Sequence, residues 1–82
     1  MKQSFVKTIE GHEIEFVRLM YPLRYSIFIR VANSNPLMLA FKKNSEGSWV
    51  IDQPNELPEW VNEISLPMQH VIEENEADAS NE

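Results

Sequence analysis

Eighty-two residues leave room for one domain and one core, and a chain of that size buries only about 60–65% of the surface it exposes when unfolded. With no cysteine there is no disulfide frame, no thiolate nucleophile and no cysteine-based metal site, while a hydrophobic content of 43% fits a globular fold rather than a disordered chain. The net charge of −6 is unevenly laid out: all seven Lys and Arg lie before residue 44 against three acids, and ten acids with no base follow from Asn44 onward.

The longest apolar run, residues 36–41, is too short to span a bilayer, and residues 1–10 lack the apolar stretch of a signal peptide. The expectation is a cytoplasmic protein with no membrane contact.

In chain order, Glu10-Gly11 separates a first strand over Ser4–Ile9 from a second over His12–Leu19, and Tyr21-Pro22 precedes a third over residues 24–31. That third segment alternates with period two, setting Tyr25, Ile27, Ile29 and Val31 on one face and Arg24, Ser26, Phe28 and Arg30 on the other. Asn33-Ser34-Asn35-Pro36 is a turn cluster before a fourth strand, Leu37–Lys43, and Asn44-Ser45-Glu46-Gly47 precedes a short fifth over residues 48–51. Registers chosen to gather the large apolar side chains pair Ile9 with His12, Leu19 with Arg24, Val31 with Leu37, and Phe41 with Trp49. All four place those side chains on a single face. The predicted sheet is a five-stranded antiparallel meander in the order 1-2-3-4-5.

After Asp52 the period lengthens. Leu57, Trp60, Val61, Ile64, Met68, Val71 and Ile72 recur at helical spacing, with Asn55 as N-cap and Pro58 in the first turn. Pro67 cannot donate to the carbonyl of Glu63 and disfavours helical geometry at Leu66, which predicts a kink near Ser65–Pro67 or a break with Ser65 capping a second short helix. One apolar stripe then covers one sheet face, anchored by Trp60 against Phe41 and Trp49. This is an α+β fold formed by residues 1–72, with one C-terminal helix. Residues 73–82 carry five acids and no large apolar side chain, and are expected to form a disordered acidic tail.

The opposite sheet face carries the candidate site. On it Val17, Phe28, Met38, Ala40 and Val50 form an apolar patch ringed by Arg24, Arg30 and Lys42, and an apolar patch with a polar rim is the pattern of an interface. The residues expected to bind a partner are Arg24, Phe28, Arg30, Met38 and Lys42. The partner is a second copy, giving a homodimer, or an unidentified protein. Aromatic and cationic residues on one sheet face also suit a single-stranded nucleic acid, although the acidic balance of the chain argues against it. A third reading is a small ligand held between helix and sheet.

Catalytic chemistry lacks its parts. His12 opens a strand and His70 sits on the helix, where Glu73 and Glu74 follow at i+3 and i+4. Such a trio on an exposed last turn fits a solvated histidine near a helix C-terminus better than a metal centre. Lys7 and Arg18 fall on the helix-covered face, where long stems can carry their charges to the margin. Gly11 and Gly47 are turn glycines, and no serine has a nucleophile-elbow setting. No catalytic residue, metal or cofactor is expected, and the protein is read as a non-enzymatic interaction module.

Overall fold

In the computed structural model, which describes residues 2–52 and 56–80, five strands precede one helix: β1 (Ser4–Ile9), β2 (His12–Leu19), β3 (Arg24–Ile29), β4 (Leu37–Lys43), β5 (Trp49–Ile51) and α1 (Glu59–Ser80). The strands form one antiparallel sheet in the order β1-β2-β3-β4-β5. The fold is the expected α+β meander with its helix on one face.

Turn chemistry sets the registers. Ile9 pairs with His12 across a two-residue loop in which both Glu10 (φ 48°) and Gly11 (φ 81°) are left-handed. Loops of that type match the twist of the flanking strands, and glycine takes the second position without strain. Leu19 pairs with Arg24, and Phe16 with Ile27, as expected. The last two hairpins differ by two residues: Ile29, not Val31, faces Leu37, and Phe41 faces Ile51 rather than Trp49. In the second of these the Asn44 carboxamide accepts from the amides of Glu46 and Ser48, and Asn44 N–H bonds the Ser48 carbonyl. That leaves a three-residue loop closed by Gly47 at φ 83°. A slip of two keeps every side chain on its face, so the expected faces survive the change of register.

The helix-covered face holds the core. Ile14, Phe16, Tyr25, Ile27, Ile29, Leu39, Phe41 and Trp49 are buried beneath Val61, Ile64, Met68 and Ile72 of α1. Phe5 stacks on Phe16 with centroids 5.0 Å apart, and Tyr25 meets Trp49 edge-on at 5.2 Å. Trp60 is not the anchor expected from the sequence: it is half-buried and stacks on His12 at 4.7 Å, near the β1–β2 turn. The helix is one continuous element with Pro67 inside it, rather than two. Buried side chains on both sides of the proline hold the two halves to one sheet, and Glu63, whose carbonyl loses its helical donor, is exposed to water. The Asn55 cap lies outside the described residues, as do residues 81–82.

The acidic tail is the main correction. Residues 73–80 continue the helix, because Asn75 and Glu76 dock on the polar end of the sheet's inner face. Asn75, 7% exposed, sits one turn beyond Ile72 on the buried stripe. Its carboxamide accepts from Lys2 N–H and donates to the Lys2 carbonyl, each at 3.0 Å, and also donates to the Tyr25 hydroxyl at 2.8 Å. Glu76 receives Arg18 through Nε at 2.7 Å and Nη2 at 3.2 Å, and the Tyr25 hydroxyl at 2.5 Å. The Arg18 hydrogen bond holds the Glu76 carboxyl below the usual carboxylate range, against the opposing pull of burial. Burial first, then the bond to Glu76, pushes the Tyr25 phenol up to about 12. Arg18 reaches not open water at the sheet margin but this carboxylate.

Candidate interaction surface on the open sheet face

The pairings lay the uncovered face out as four rows running across the strands. The first is Thr8–Glu13–Arg30, the second Val6–Glu15–Phe28–Met38, the third Ser4–Val17–Ser26–Ala40 and the fourth Leu19–Arg24–Lys42–Val50. Arg24, Phe28, Arg30, Met38 and Lys42 all lie on this face, and the two-residue register change groups them differently from the expectation. Phe28 stands directly opposite Met38, and Arg24 directly opposite Lys42.

The second row is apolar apart from Glu15. Met38 is 61% exposed and Val6 52%, while Phe28 is half-buried by its neighbours. The third row is built of small side chains apart from Val17. Side-chain size and charge therefore vary along the strands: a largely apolar row, a row of small side chains apart from Val17, then a row carrying Arg24 and Lys42. Charge follows the same axis. Arg30 reaches Glu13 at 3.5 Å with both side chains more than half exposed, and Lys42 reaches Asp52 at the same distance. Pairs this open contribute little to stability and leave their charges available to a partner. The first two rows carry Glu13, Glu15 and Arg30, a net negative end; Arg24, Lys42 and Asp52 make a net positive one.

A groove of about 780 Å³ lies at the negative end, floored by Val6 and Phe28 and walled by residues 31–34 and Pro36 of the β3–β4 loop. At the positive end the β2–β3 turn carries Tyr21, 93% exposed. Tyr21 is the member of this surface that the sequence reading did not place on it. The observed β3–β4 register sets Ser26 directly opposite Ala40.

Two clefts flank α1. One, about 560 Å³, lies between Trp60, His12 and residues 30–32; the other, about 90 Å³, lies between α1 and β1 beside Lys2 and Asn75. His70 is exposed on the helix, and among the described residues no three His, Asp or Glu side chains gather into a metal-binding cluster. No helix among the described residues is long and apolar enough to cross a membrane. Comparison of the chain with protein-family models, with curated proteins and with solved structures finds no match.

Proposed function

We propose that the protein is a non-catalytic interaction module whose working surface is the open sheet face, and that this face closes on a second copy of the chain. The observation that carries the reading is the row Val6–Glu15–Phe28–Met38, which sets three apolar side chains and one carboxylate on the side that α1 leaves uncovered. Edge-to-edge pairing is the less suited route to self-association. β1 turns Lys7 toward the helix side, and β5 is three residues long; inward charges and short edge strands are devices that discourage strand addition.

The face measures roughly 20 Å by 20 Å, so closing two of them removes on the order of 800–1,200 Å² of accessible surface, the low end for specific complexes. The association is accordingly weak and reversible. Light scattering between about 10 μM and about 1 mM, the range where interfaces of that size associate, should show the mass rising from monomer to dimer. Met38→Asp should hold the protein monomeric with its melting temperature unchanged. A wild-type mass that stays monomeric throughout refutes the reading.

The adjacency of Arg24 and Lys42 favours, second, a single-stranded nucleic acid on the same face. That reading requires oligonucleotide affinity that falls steeply with salt and is lost in Arg24→Glu.

A further inference from the structure

We propose that Asn33, in the β3–β4 loop, is a site of slow covalent modification, losing its side-chain amide to water through a cyclic imide, while the same dipeptide at Asn44 is protected by the fold. The proposal stands apart from the self-association reading and does not depend on it.

Two Asn-Ser steps lie in exposed hairpin loops, Asn33-Ser34 between β3 and β4 and Asn44-Ser45 between β4 and β5. Local sequence gives both the same chemistry: the backbone nitrogen after an asparagine can attack the side-chain carbonyl carbon and close a five-membered ring. The fold separates them. Asn44 Oδ1 accepts from the amides of Glu46 at 3.0 Å and Ser48 at 2.9 Å, which fix that carboxamide in its turn. The Asn33 carboxamide makes no hydrogen bond among the described residues.

The backbone at Asn33 is left-handed, with φ at 59°, a region that residues with a Cβ seldom occupy, so little is lost when Asn33 rotates toward the ring geometry. The attacking nitrogen is loosely held, because Ser34 N–H meets the Val31 carbonyl at 3.3 Å, beyond the usual range for such a bond. Other asparagines lack one part or another. Asn35 precedes Pro36, whose nitrogen has no hydrogen to give up, and Asn62 and Asn75 lie within α1, where helical bonds hold the following amides.

In the reaction the Ser34 nitrogen bonds to Asn33 Cγ, and the proton it gives up leaves with the side-chain amide group as ammonia. Water then opens the imide. Cleavage of the bond to Cγ gives aspartate, and cleavage of the bond to the backbone carbonyl gives isoaspartate, with one extra methylene in the main chain. No oxidation state changes. Either product places a new carboxylate in the loop that walls the 780 Å³ groove, beside Glu13 and Glu15, so that end of the sheet face grows more acidic with age.

The test holds the full chain folded in mildly alkaline buffer for weeks and, in parallel, unfolded in guanidinium chloride. Peptide mass spectrometry with fragmentation reads the amide-to-acid conversion at each asparagine. Releasing two hydrogen bonds of ordinary strength slows a reaction about tenfold or more, so Asn33 should convert at least about tenfold faster than Asn44 in the folded protein. In the unfolded chain the two identical steps should converge to within about threefold, since no hydrogen bond then distinguishes them. Equal folded-state rates, faster conversion of Asn44, or a lead for Asn33 that persists after unfolding would each overturn the proposal. Conversion confined to the unfolded chain would overturn it as well.

Discussion

Arg18 and Glu76 are 58 residues apart in sequence and meet as a two-pronged ion pair whose side chains are only 10% and 18% exposed. Open pairs are worth less than about 1 kcal/mol, whereas removing one partner of a fully buried pair costs about 3–5 kcal/mol. At this exposure Glu76→Leu should lie between those limits, at about 2–3 kcal/mol, because it strands the Arg18 guanidinium and also takes the acceptor from Tyr25. Domains of this size lose roughly 4–8 °C of melting temperature per kcal/mol, so the variant should melt at least about 8 °C lower. Arg18→Met should cost less, about 1–2 kcal/mol, since the carboxylate left behind keeps the Tyr25 hydroxyl. In the double variant no charge is stranded, and its cost should fall short of the summed singles by about 2 kcal/mol. Urea unfolding followed by circular dichroism gives the four stabilities, and equal m-values certify a common unfolded state. Additivity within about 0.5 kcal/mol would refute the reasoning, showing a solvated pair that does not fasten the helix.

The same cluster sets the pH limits of the fold. Glu76 titrates lower folded than unfolded, so the unfolded chain binds the extra proton and stability should be lost as pH falls through the folded pKa; acid melting curves of Arg18→Met should show a smaller acid loss, since Arg18 is the largest cause of the shift and the Tyr25 hydroxyl remains. Tyr25, raised to about 12, works in the opposite sense: its contribution is intact below the unfolded tyrosine pKa of about 10 and lost as pH rises through 12, a decline that Tyr25→Phe should lack in alkaline melts. Gly11→Ala meets no atom within 4 Å but keeps φ at 81°, so a loss of about 1 kcal/mol in urea unfolding should be purely conformational. Pro67→Ala should raise the melting temperature, restoring a helical donor to the Glu63 carbonyl for a gain on the order of 1–3 kcal/mol, and no gain would mean the helix is bent by its packing instead.

The sheet was legible because its period is two. Tyr25, Ile27 and Ile29 declare a face whatever their partners, so misjudging two hairpins by two residues left the core intact and altered only which neighbours touch on the outside. That small error mattered for the candidate site: it separated Phe28 from Met38 and Arg24 from Lys42, and hid the alternation of bulky and small rows. The end of the helix was misread because Glu73, Glu74, Glu76 and Asp78 look like solvated charge when partners are counted only locally. Asn75 nevertheless continues the stripe of Met68 and Ile72 at i+7 and i+3, and an amide on an apolar stripe is a buried polar group awaiting a partner. Arg18, on the covered face of β2, was the other half of that signal. Periodicity within one element marks each residue; only the topology brings them together.

The pairing of Lys2 with Asn75 joins positions 73 residues apart, and with it the order of synthesis becomes a physical constraint. The whole sheet, and the buried side of Ile14, Phe16, Ile27 and Phe41 with it, is made before the residues that cover it. Until α1 emerges, that face is bare, and Arg18 and Tyr25 have neither the carboxylate nor the amide that satisfies them. A nascent chain halted after β5 would present an uncovered apolar sheet, the kind of surface that draws holdase chaperones or aggregates. Helix α1 therefore completes the core late in synthesis as well as covering it in space.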